Sequence, residues 1–129
     1  MSTKHNPKTI APPAGKYTHA IGSPAGARWL HISGQIGAGP DGTVPAGIGA
    51  QAENCWKNIR AILAEANMSF DDIVKVSIFL TKSEFIVPLR AVRERFIGDL
   101  RPASTLVIVS SLAQPEYLCE IEAVAAKVG

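Results

Sequence analysis

Residues 73–80, with the sequence IVKVSIFL, decide the fold class of this chain. Valine and isoleucine are β-branched and favour an extended backbone, and apolar residues alternate with others along this run. One predicted face carries Val74, Val76, Ile78 and Leu80, and the other carries Lys75, Ser77, Phe79 and Thr81. We therefore predict a strand with one buried face and one mixed face.

Two helices flank this strand in the sequence. Between residues 50 and 66, apolar side chains recur at three- and four-residue steps, which makes one apolar stripe along a helix. The stripe consists of Ala52, Cys55, Trp56, Ile59, Ile62, Leu63 and Ala66. We predict a second helix that ends at Ile97 and begins at Ser83 or at Pro88. The start is ambiguous because proline is tolerated in the first turn of a helix and not in its interior.

Four further strands complete the predicted order of elements. They cover residues 17–21, 28–33, 105–109 and 118–126. A helix between two strands favours a parallel crossover, whereas the first and last pairs of strands can be antiparallel. We predict an α+β fold with a single mixed β-sheet and two helices packed on one face. A single domain covers residues 1–129, with residues 1–15 as a loosely ordered N-terminal segment.

The composition excludes several classes of protein. The chain has 129 residues, of which 47% are hydrophobic and 19% are charged, as in an ordered globular domain. Its net charge of +2 is too small to indicate a nucleic-acid partner. No apolar run approaches the roughly 18 residues of a membrane span. No apolar stretch follows Lys4 as in a secretory signal, so we expect a cytoplasmic protein with no membrane partner.

Cysteine and histidine give no sign of a metal site. Cys55 and Cys119 lie within apolar patterns and are predicted to be unpaired, buried thiols in a reducing compartment. The three histidines have no ligand spacing with one another or with cysteine, and the sequence has no phosphate-binding glycine motif. We therefore expect no metal ion.

The sheet face that the helices leave uncovered predicts an oligomer. In the last strand Cys119 and Ile121 face the helices, so Glu120 and Glu122 face away. The uncovered face also carries His31, Ser33, Ser77 and Phe79. Such a face is too apolar to stay exposed and too polar for a core, and another copy of the chain commonly covers it.

Several residues suit a binding or catalytic site. Ser33 and Gly34 end a strand before a glycine-rich loop, where backbone N–H groups and a hydroxyl can hold a carboxylate; the alternative is a plain tight turn. Glu120 lies among apolar neighbours and can orient water or exchange a proton; the alternative is an ion-pair partner. Tyr17 can close a pocket with its ring, or it belongs to the core or an interface.

Arg90, Arg93 and Arg95 form a cationic cluster on the second predicted helix. A cluster of this kind is usually a solvated helix face. Arg90 can also reach a cleft at a subunit edge.

Five short motifs occur in the order in which a known family has them. They are ISGQI at residues 32–36, NIRAIL at 58–63, VKVSIFLT at 74–81, RPA at 101–103 and EIEAVA at 120–125. From about Tyr17 onward the chain resembles the RidA family, also called YjgF/YER057c/UK114 and, in older usage, endoribonuclease L-PSP.

The resemblance implies a chorismate-mutase-like fold and a homotrimer with three small-molecule clefts between subunits. It implies 2-imino or enamine acids as ligands, hydrolysed to 2-oxo acids and ammonia without a metal or organic cofactor. Tyr17, Ser33, Gly34 and Glu120 fall at positions that line the family's cleft. Arg90 stands about where the family usually has an asparagine.

The chain departs from the family at one position of the cleft. Active members read Pro-Ala-Arg-Ser or Pro-Thr-Arg-Thr, and their arginine binds the substrate carboxylate through two hydrogen bonds. Here residues 102–105 read Pro-Ala-Ser-Thr, so Ser104 holds the place of that arginine. A serine supplies neither the charge nor the fork. Arg90 is the better candidate replacement and Arg101 the poorer one.

Two functions remain open at this point. The first is deaminase-like hydrolysis of a small imine, enamine or related compound with altered specificity. In that case Glu120 positions water, and backbone groups near Thr105 polarise the substrate. The alternative is a non-catalytic trimeric protein that binds or senses a small molecule. A nuclease is disfavoured by the near-neutral charge and the lack of paired histidines.

Overall fold

The computed structural model describes residues 2–129, and a four-stranded mixed sheet forms its centre. In chain order the strands are β1 (Thr3–His5), β2 (Ala20–Gly22), β3 (Arg28–Ile36), β4 (Ile73–Leu80), β5 (Ala103–Ile108) and β6 (Cys119–Lys127). The central sheet has the order β3-β6-β4-β5. β1 and β2 form a separate two-stranded antiparallel sheet.

Two helices lie on one face of the central sheet. They are α1 (Ile48–Glu65) and α2 (Ile86–Ile97), and a 3₁₀ turn at Ser83–Phe85 leads into α2. Pro88 stands in the first turn of α2, where its missing N–H costs no helical hydrogen bond. α1 packs against β3, β6 and α2. The predicted α+β fold, with its mixed sheet and two helices on one face, is confirmed.

The connections explain why the sheet is mixed. β4 and β5 are parallel partners joined through α2, which is the crossover that a helix between two strands favours. β6 pairs antiparallel with both β3 and β4, so the last strand lies between two strands that precede it. β3 and β5 are therefore the edges of the central sheet. Each edge presents a row of backbone groups to its surroundings.

The two faces of the central sheet differ as the alternation predicts. On the helix side Val76, Leu80 and Ile121 are fully buried against Trp56 and Ile59 of α1. The other side, the open face, carries Trp29, His31, Ser33, Lys75, Ser77, Phe79, Thr105, Val107, Glu120 and Glu122. These residues are half-buried or exposed, and the indole of Trp29 is 54% exposed.

Two β-bulges correct the predicted strands. β3 does not stop at Gly34 but continues to Ile36, because an extra residue between Ile32 and Gln35 interrupts the ladder with β6 without ending it. A second bulge lies in β4 between Ile73 and Lys75. It shifts the alternation by one, so Ile73 and not Val74 joins the main hydrophobic core.

The N-terminal region differs from the predicted arrangement. Residues 17–19 form no strand, and Thr18 makes only an isolated parallel bridge to Ala103. The backbone N–H of Thr18 donates to the carbonyl of Pro102 at 3.2 Å. β2 pairs with β1 and not with the central sheet; β1 lies within the segment that we expected to be loosely ordered.

The two cysteines are free, and both are completely buried between α1 and β6. Their Sγ atoms are 3.7 Å apart, which is contact and not a disulfide bond. The Cys55 Sγ also donates to the carbonyl of Gln35 at 3.2 Å. The hydrogen bond with Cys119 and burial raise the pKa of the Cys55 thiol well above its usual range.

We predict that neither thiol reacts with a labelling reagent until the chain opens. Labelling of the native protein should be at least about a thousandfold slower than labelling in denaturant, which corresponds to an opening free energy of roughly 4 kcal/mol. The measurement is the rate of reaction with an aromatic disulfide reagent. A Ser111→Cys variant is the control, because Ser111 is exposed and its replacement should react at once. Fast native labelling of Cys55 and Cys119 contradicts the buried contact.

Candidate functional site

Glu120 and Gly34 meet on the open face at the bulge of β3. Glu120 pairs in the sheet with Ile36 on one side and Phe79 on the other. Its side chain lies over the backbone of Gly34: a Cβ built on Gly34 would stand 1.9 Å from Oε2 and 3.0 Å from Cγ of Glu120. Glycine is therefore the residue that permits the carboxylate to occupy this position.

Two other candidate residues lie on the same face. Ser33 is exposed beside Gly34 in the bulge. Thr105 is exposed on β5, and its hydroxyl oxygen accepts a hydrogen bond of 2.7 Å from Nζ of Lys75. β4 separates β5 from β6, so Thr105 and Glu120 stand on opposite sides of that strand.

The remaining candidates line a cavity of about 550 Å³ on the helix side of β5. Its walls come from β4, β5, α2 and the loop before β2. The cavity is lined by Ala14, Gly15, Lys16, Tyr17, Ile78, Leu89, Arg90, Ala91, Arg93, Glu94, Ser104 and Leu106. The structure thus brings Tyr17, Arg90 and Ser104 together at one cavity. Ser104 pairs with the buried Val76 in the sheet, so both lie on the helix side. Thr105 is the next residue along β5 and therefore lies on the opposite face.

Tyr17 is held at the cavity by its own loop. Its hydroxyl oxygen accepts a hydrogen bond of 3.1 Å from the backbone N–H of Ala14. Its ring meets the ring of His19 edge to face, with centroids 5.9 Å apart. Both contacts lie within the 14–19 segment, so Tyr17 belongs to a loop over the cavity and not to a strand.

Arg93 is the functional candidate that the sequence analysis missed. It was assigned to a solvated helix face, but it is only 7% exposed and lines the cavity. The signal was present in the sequence, because Leu89, Arg93 and Ile97 follow one another at four-residue steps on the buried side of α2. Arg90, by contrast, lines the cavity from an exposed position.

Cationic side chains dominate the charge of the cavity wall. Lys16, Arg90 and Arg93 are cationic and Glu94 is anionic. Glu94 forms an ion pair with Lys16, and the hydrogen bond from Lys16 lowers the pKa of the Glu94 carboxyl. Desolvation and the nearby charge of Arg101 lower the pKa of Arg93, the carboxylate of Glu94 opposes them, and Arg90 adds a smaller lowering. The charge of Glu94 therefore does not fully offset the unfavourable surroundings of this guanidinium.

Arg101 does not line the cavity. Its Nη1 donates to the backbone carbonyls of Gly98 and Leu100, both at 3.1 Å. These bonds hold the side chain against the turn between α2 and β5. The Arg101 guanidinium thus bonds within its own turn, whereas Arg90 and Arg93 line the same cavity as Ser104.

The candidate residues therefore form two groups on opposite faces of one sheet. Ser33, Gly34, Thr105 and Glu120 belong to the open face; Tyr17, Arg90 and Ser104 line the helix-side cavity. Within one chain they do not make a single site. Among residues 2–129 no cluster of three or more His, Cys, Asp or Glu side chains has the geometry to hold a metal ion.

Comparison with known proteins identifies the family. A family model described as endoribonuclease L-PSP matches residues 8–127. The chain belongs to this family. It is 34% identical to a RutC family protein of Pyrococcus abyssi over 89% of both chains. The resemblance stated from the sequence motifs is thereby confirmed.

Solved structures of the family share the fold. A protein of unknown function of the Rid family from Yersinia pestis, YyfB, superposes with a TM-score of 0.84 at 26% identity over 98% of both chains. Yeast Mmf1 superposes with a TM-score of 0.73 at 32% identity over 98% of this chain and 99% of the other.

The comparisons leave the cellular location as a prediction. MMF1 of Saccharomyces cerevisiae, which is 35% identical over 80% of this chain and 70% of its own, is described as mitochondrial. In the part of the chain that the structure describes, no helix has the length and hydropathy to cross a membrane. The cytoplasmic location of this chain stays a prediction.

We predict that Gly34→Ala destabilises the protein by about 1–3 kcal/mol through overpacking against Glu120. In a Glu120→Ala background the same change should cost much less, because the clashing atoms are gone. The measurement is a double-mutant cycle of unfolding free energies in denaturant. Gly49→Ala is the control: outside its own helix no atom within 4 Å faces its Cβ, so it should not destabilise the protein and should have the same effect in both backgrounds. Equal costs for Gly34→Ala in both backgrounds contradict the contact.

Proposed function

We propose that the protein hydrolyses a small imine or enamine in a cleft between subunits, with a specificity that differs from other family members. The observation that carries the proposal is the Glu120 carboxylate placed over Gly34 at the β3 bulge. A carboxylate placed on the open face in this way can orient a water molecule and accept its proton.

The proposed reaction needs few groups. Water held by Glu120 adds to the carbon of the C=N bond, and its proton passes to nitrogen. The proton of the new hydroxyl group then passes to the nitrogen as the C–N bond breaks, which gives a carbonyl compound and ammonia. An enamine first becomes the imine by transfer of a proton from its nitrogen to its β-carbon. Near Thr105 the edge strand β5 carries backbone groups that β4 does not pair, and these can polarise the substrate. Tyr17 closes the cleft from its loop.

Assembly is part of the proposal, because the candidate residues lie on two faces of the sheet. A homotrimer brings the open face of one copy against the β5 edge and cavity of the next, so one cleft receives residues from both. The surface of the protomer supports this arrangement. Trp29 is 54% exposed and Val107 is 41% exposed on the open face, and both are apolar surfaces that a partner copy would cover.

Ser104 supports the altered specificity. It lines the cavity where the family has an arginine, and a hydroxyl makes no bidentate bond with a carboxylate. The same residue favours the alternative, a trimer that binds or senses a small molecule without turnover. The two functions separate in a turnover experiment.

We predict that at least one imine from a panel is hydrolysed faster in the presence of the protein. The panel is generated in the assay by amino-acid oxidases from amino acids of different side chain, and hydrolysis is followed through loss of the imine trapped by semicarbazide. Glu120→Gln should abolish the acceleration, since an amide neither accepts a proton nor orients water equally well. No acceleration for any imine would overturn the enzymatic proposal in favour of the binding protein.

We predict that the imine derived from alanine is a poor substrate and that Ser104→Arg improves it. Loss of a charged bidentate partner costs about 2–5 kcal/mol, so the added guanidinium should raise kcat/KM by roughly thirtyfold or more. Ser110→Arg is the control, because Ser110 is exposed and outside the cavity. Efficient hydrolysis of this imine by the unmodified protein contradicts the role assigned to Ser104.

We predict a trimer at micromolar concentration, measured by sedimentation equilibrium as three times the mass of the chain. Trp29→Glu should dissociate it, because the variant places a charge on the open face. Val87→Glu should leave it intact: Val87 is 76% exposed on α2, away from that face. A monomeric unmodified protein, or the opposite order of the two variants, contradicts the assembly.

A further inference from the structure

We infer that Arg93 of α2 binds an acidic group in the cavity in place of the guanidinium missing at position 104, and that with Arg90 it selects a short dicarboxylate. The inference rests on the proposed function, because it takes the cavity as part of the ligand cleft. It assigns the ligand's chemical class and the residues that recognise it.

The surroundings of Arg93 are those of a binding residue and not of a structural ion pair. The side chain is 7% exposed, and the hydrogen bond that it makes within residues 2–129 runs from Nη2 to the backbone carbonyl of Lys16, at 2.8 Å. No carboxylate of the described chain lies within ion-pair distance of it. A buried guanidinium has five N–H donors and is costly to leave without a counter-charge. An anionic ligand in the adjoining cavity supplies that charge.

The charge of the wall indicates two acidic groups on the ligand. Glu94 is already paired with Lys16 at the cavity rim. Arg90 and Arg93 remain, three residues apart on α2 and therefore neighbours on one side of the helix. The carboxylate of Glu94 lies close enough to act on Arg93, but it forms its ion pair with Lys16. Two guanidinium groups without an ion pair of their own among residues 2–129 suit a dianion, and each fits a carboxylate through its fork.

The apolar part of the wall distinguishes a dicarboxylate from inorganic phosphate. Ile78 and Leu89 are buried core residues that reach the cavity, and Leu106 joins them from β5. A carbon spacer between two carboxylates packs against these side chains, whereas a phosphate ion has no apolar part to bury. The cavity volume of about 550 Å³ also exceeds what a single inorganic ion needs.

The position of Arg93 explains why a site for a dicarboxylate differs from a site for a monocarboxylate. Its guanidinium comes from α2, whereas an arginine at position 104 would come from β5. A carboxylate bound by Arg93 is thus anchored at a different wall of the cavity from one held at position 104. A ligand with a second acidic group gains a second contact at Arg90, which a monocarboxylate lacks.

Equilibrium binding tests the inference without turnover. The probes are succinate, propionate and inorganic phosphate, measured by calorimetry on the assembled protein at one ionic strength. Succinate should bind at least about tenfold more tightly than propionate or phosphate. Arg93→Met should weaken succinate binding by roughly thirtyfold or more. Arg95→Met is the matched control: it removes the same charge from the same helix at an exposed position outside the cavity, and succinate affinity should not change.

Two further variants keep the test decisive where Arg93→Met does not fold, as shown by its denaturation curve. Arg93→Lys keeps the charge and loses the fork, and Arg90→Met removes the exposed member of the pair. Each should weaken succinate binding by about tenfold, and Arg90→Met should leave propionate binding less affected, because a monocarboxylate makes no contact with Arg90. Unchanged succinate affinity in these variants overturns the inference. So does a protein that binds propionate or phosphate as tightly as succinate, or none of the three.

The outcomes separate the two proposals. Selective succinate binding with no hydrolysis of any imine supports the inference and overturns the enzymatic function. Hydrolysis of imines without selective succinate binding supports the enzymatic function and overturns the inference.

Discussion

Successive side chains of a β-strand point to opposite faces of the sheet, and the organisation of this site follows from that constraint. Ser104 and Thr105 are neighbours in sequence, yet one lines the helix-side cavity and the other lies on the open face. Cys119 and Glu120 divide in the same way, since the thiol contacts α1 and the carboxylate lies over Gly34. A site that uses both groups requires the edge of one protomer to meet the face of another.

The proposed site has two halves, the open-face residues and the cavity residues, and these differ in chemistry as well as in position. The open-face half depends on close packing, because the carboxylate of Glu120 occupies the place where any other residue at position 34 would have its Cβ. The cavity half depends on charge: Lys16 and Glu94 form an ion pair, and the buried Arg93 lines the same cavity as Ser104. In our account the open-face half carries the hydrolytic chemistry and the cavity half recognises the ligand.

Periodicity predicted the helices, the four central strands and the two unlike faces of the sheet, because each depends on residues close in sequence. The bulges in β3 and β4 were missed, since an inserted residue is set by the partner strand and leaves the local pattern apolar. Arg93 was assigned to a solvated helix face because charged side chains are usually exposed. Its four-residue spacing from Leu89 and Ile97 instead places it on the buried side of α2. The placement of Tyr17 on a loop depends on the pairing of β2 with β1, which no local pattern reveals.

The central claim is that one cleft is built from the two faces of two copies. The measurement that tests it most directly is a crystal structure of the assembled protein grown with succinate. The account predicts that Glu120 of one protomer and Ser104 and Arg93 of its neighbour line the same cleft, with a carboxylate of the succinate hydrogen-bonded to the Arg93 guanidinium. An assembly that covers the open face without bringing Glu120 to a neighbour's cavity would contradict the account, as would succinate bound away from Arg93.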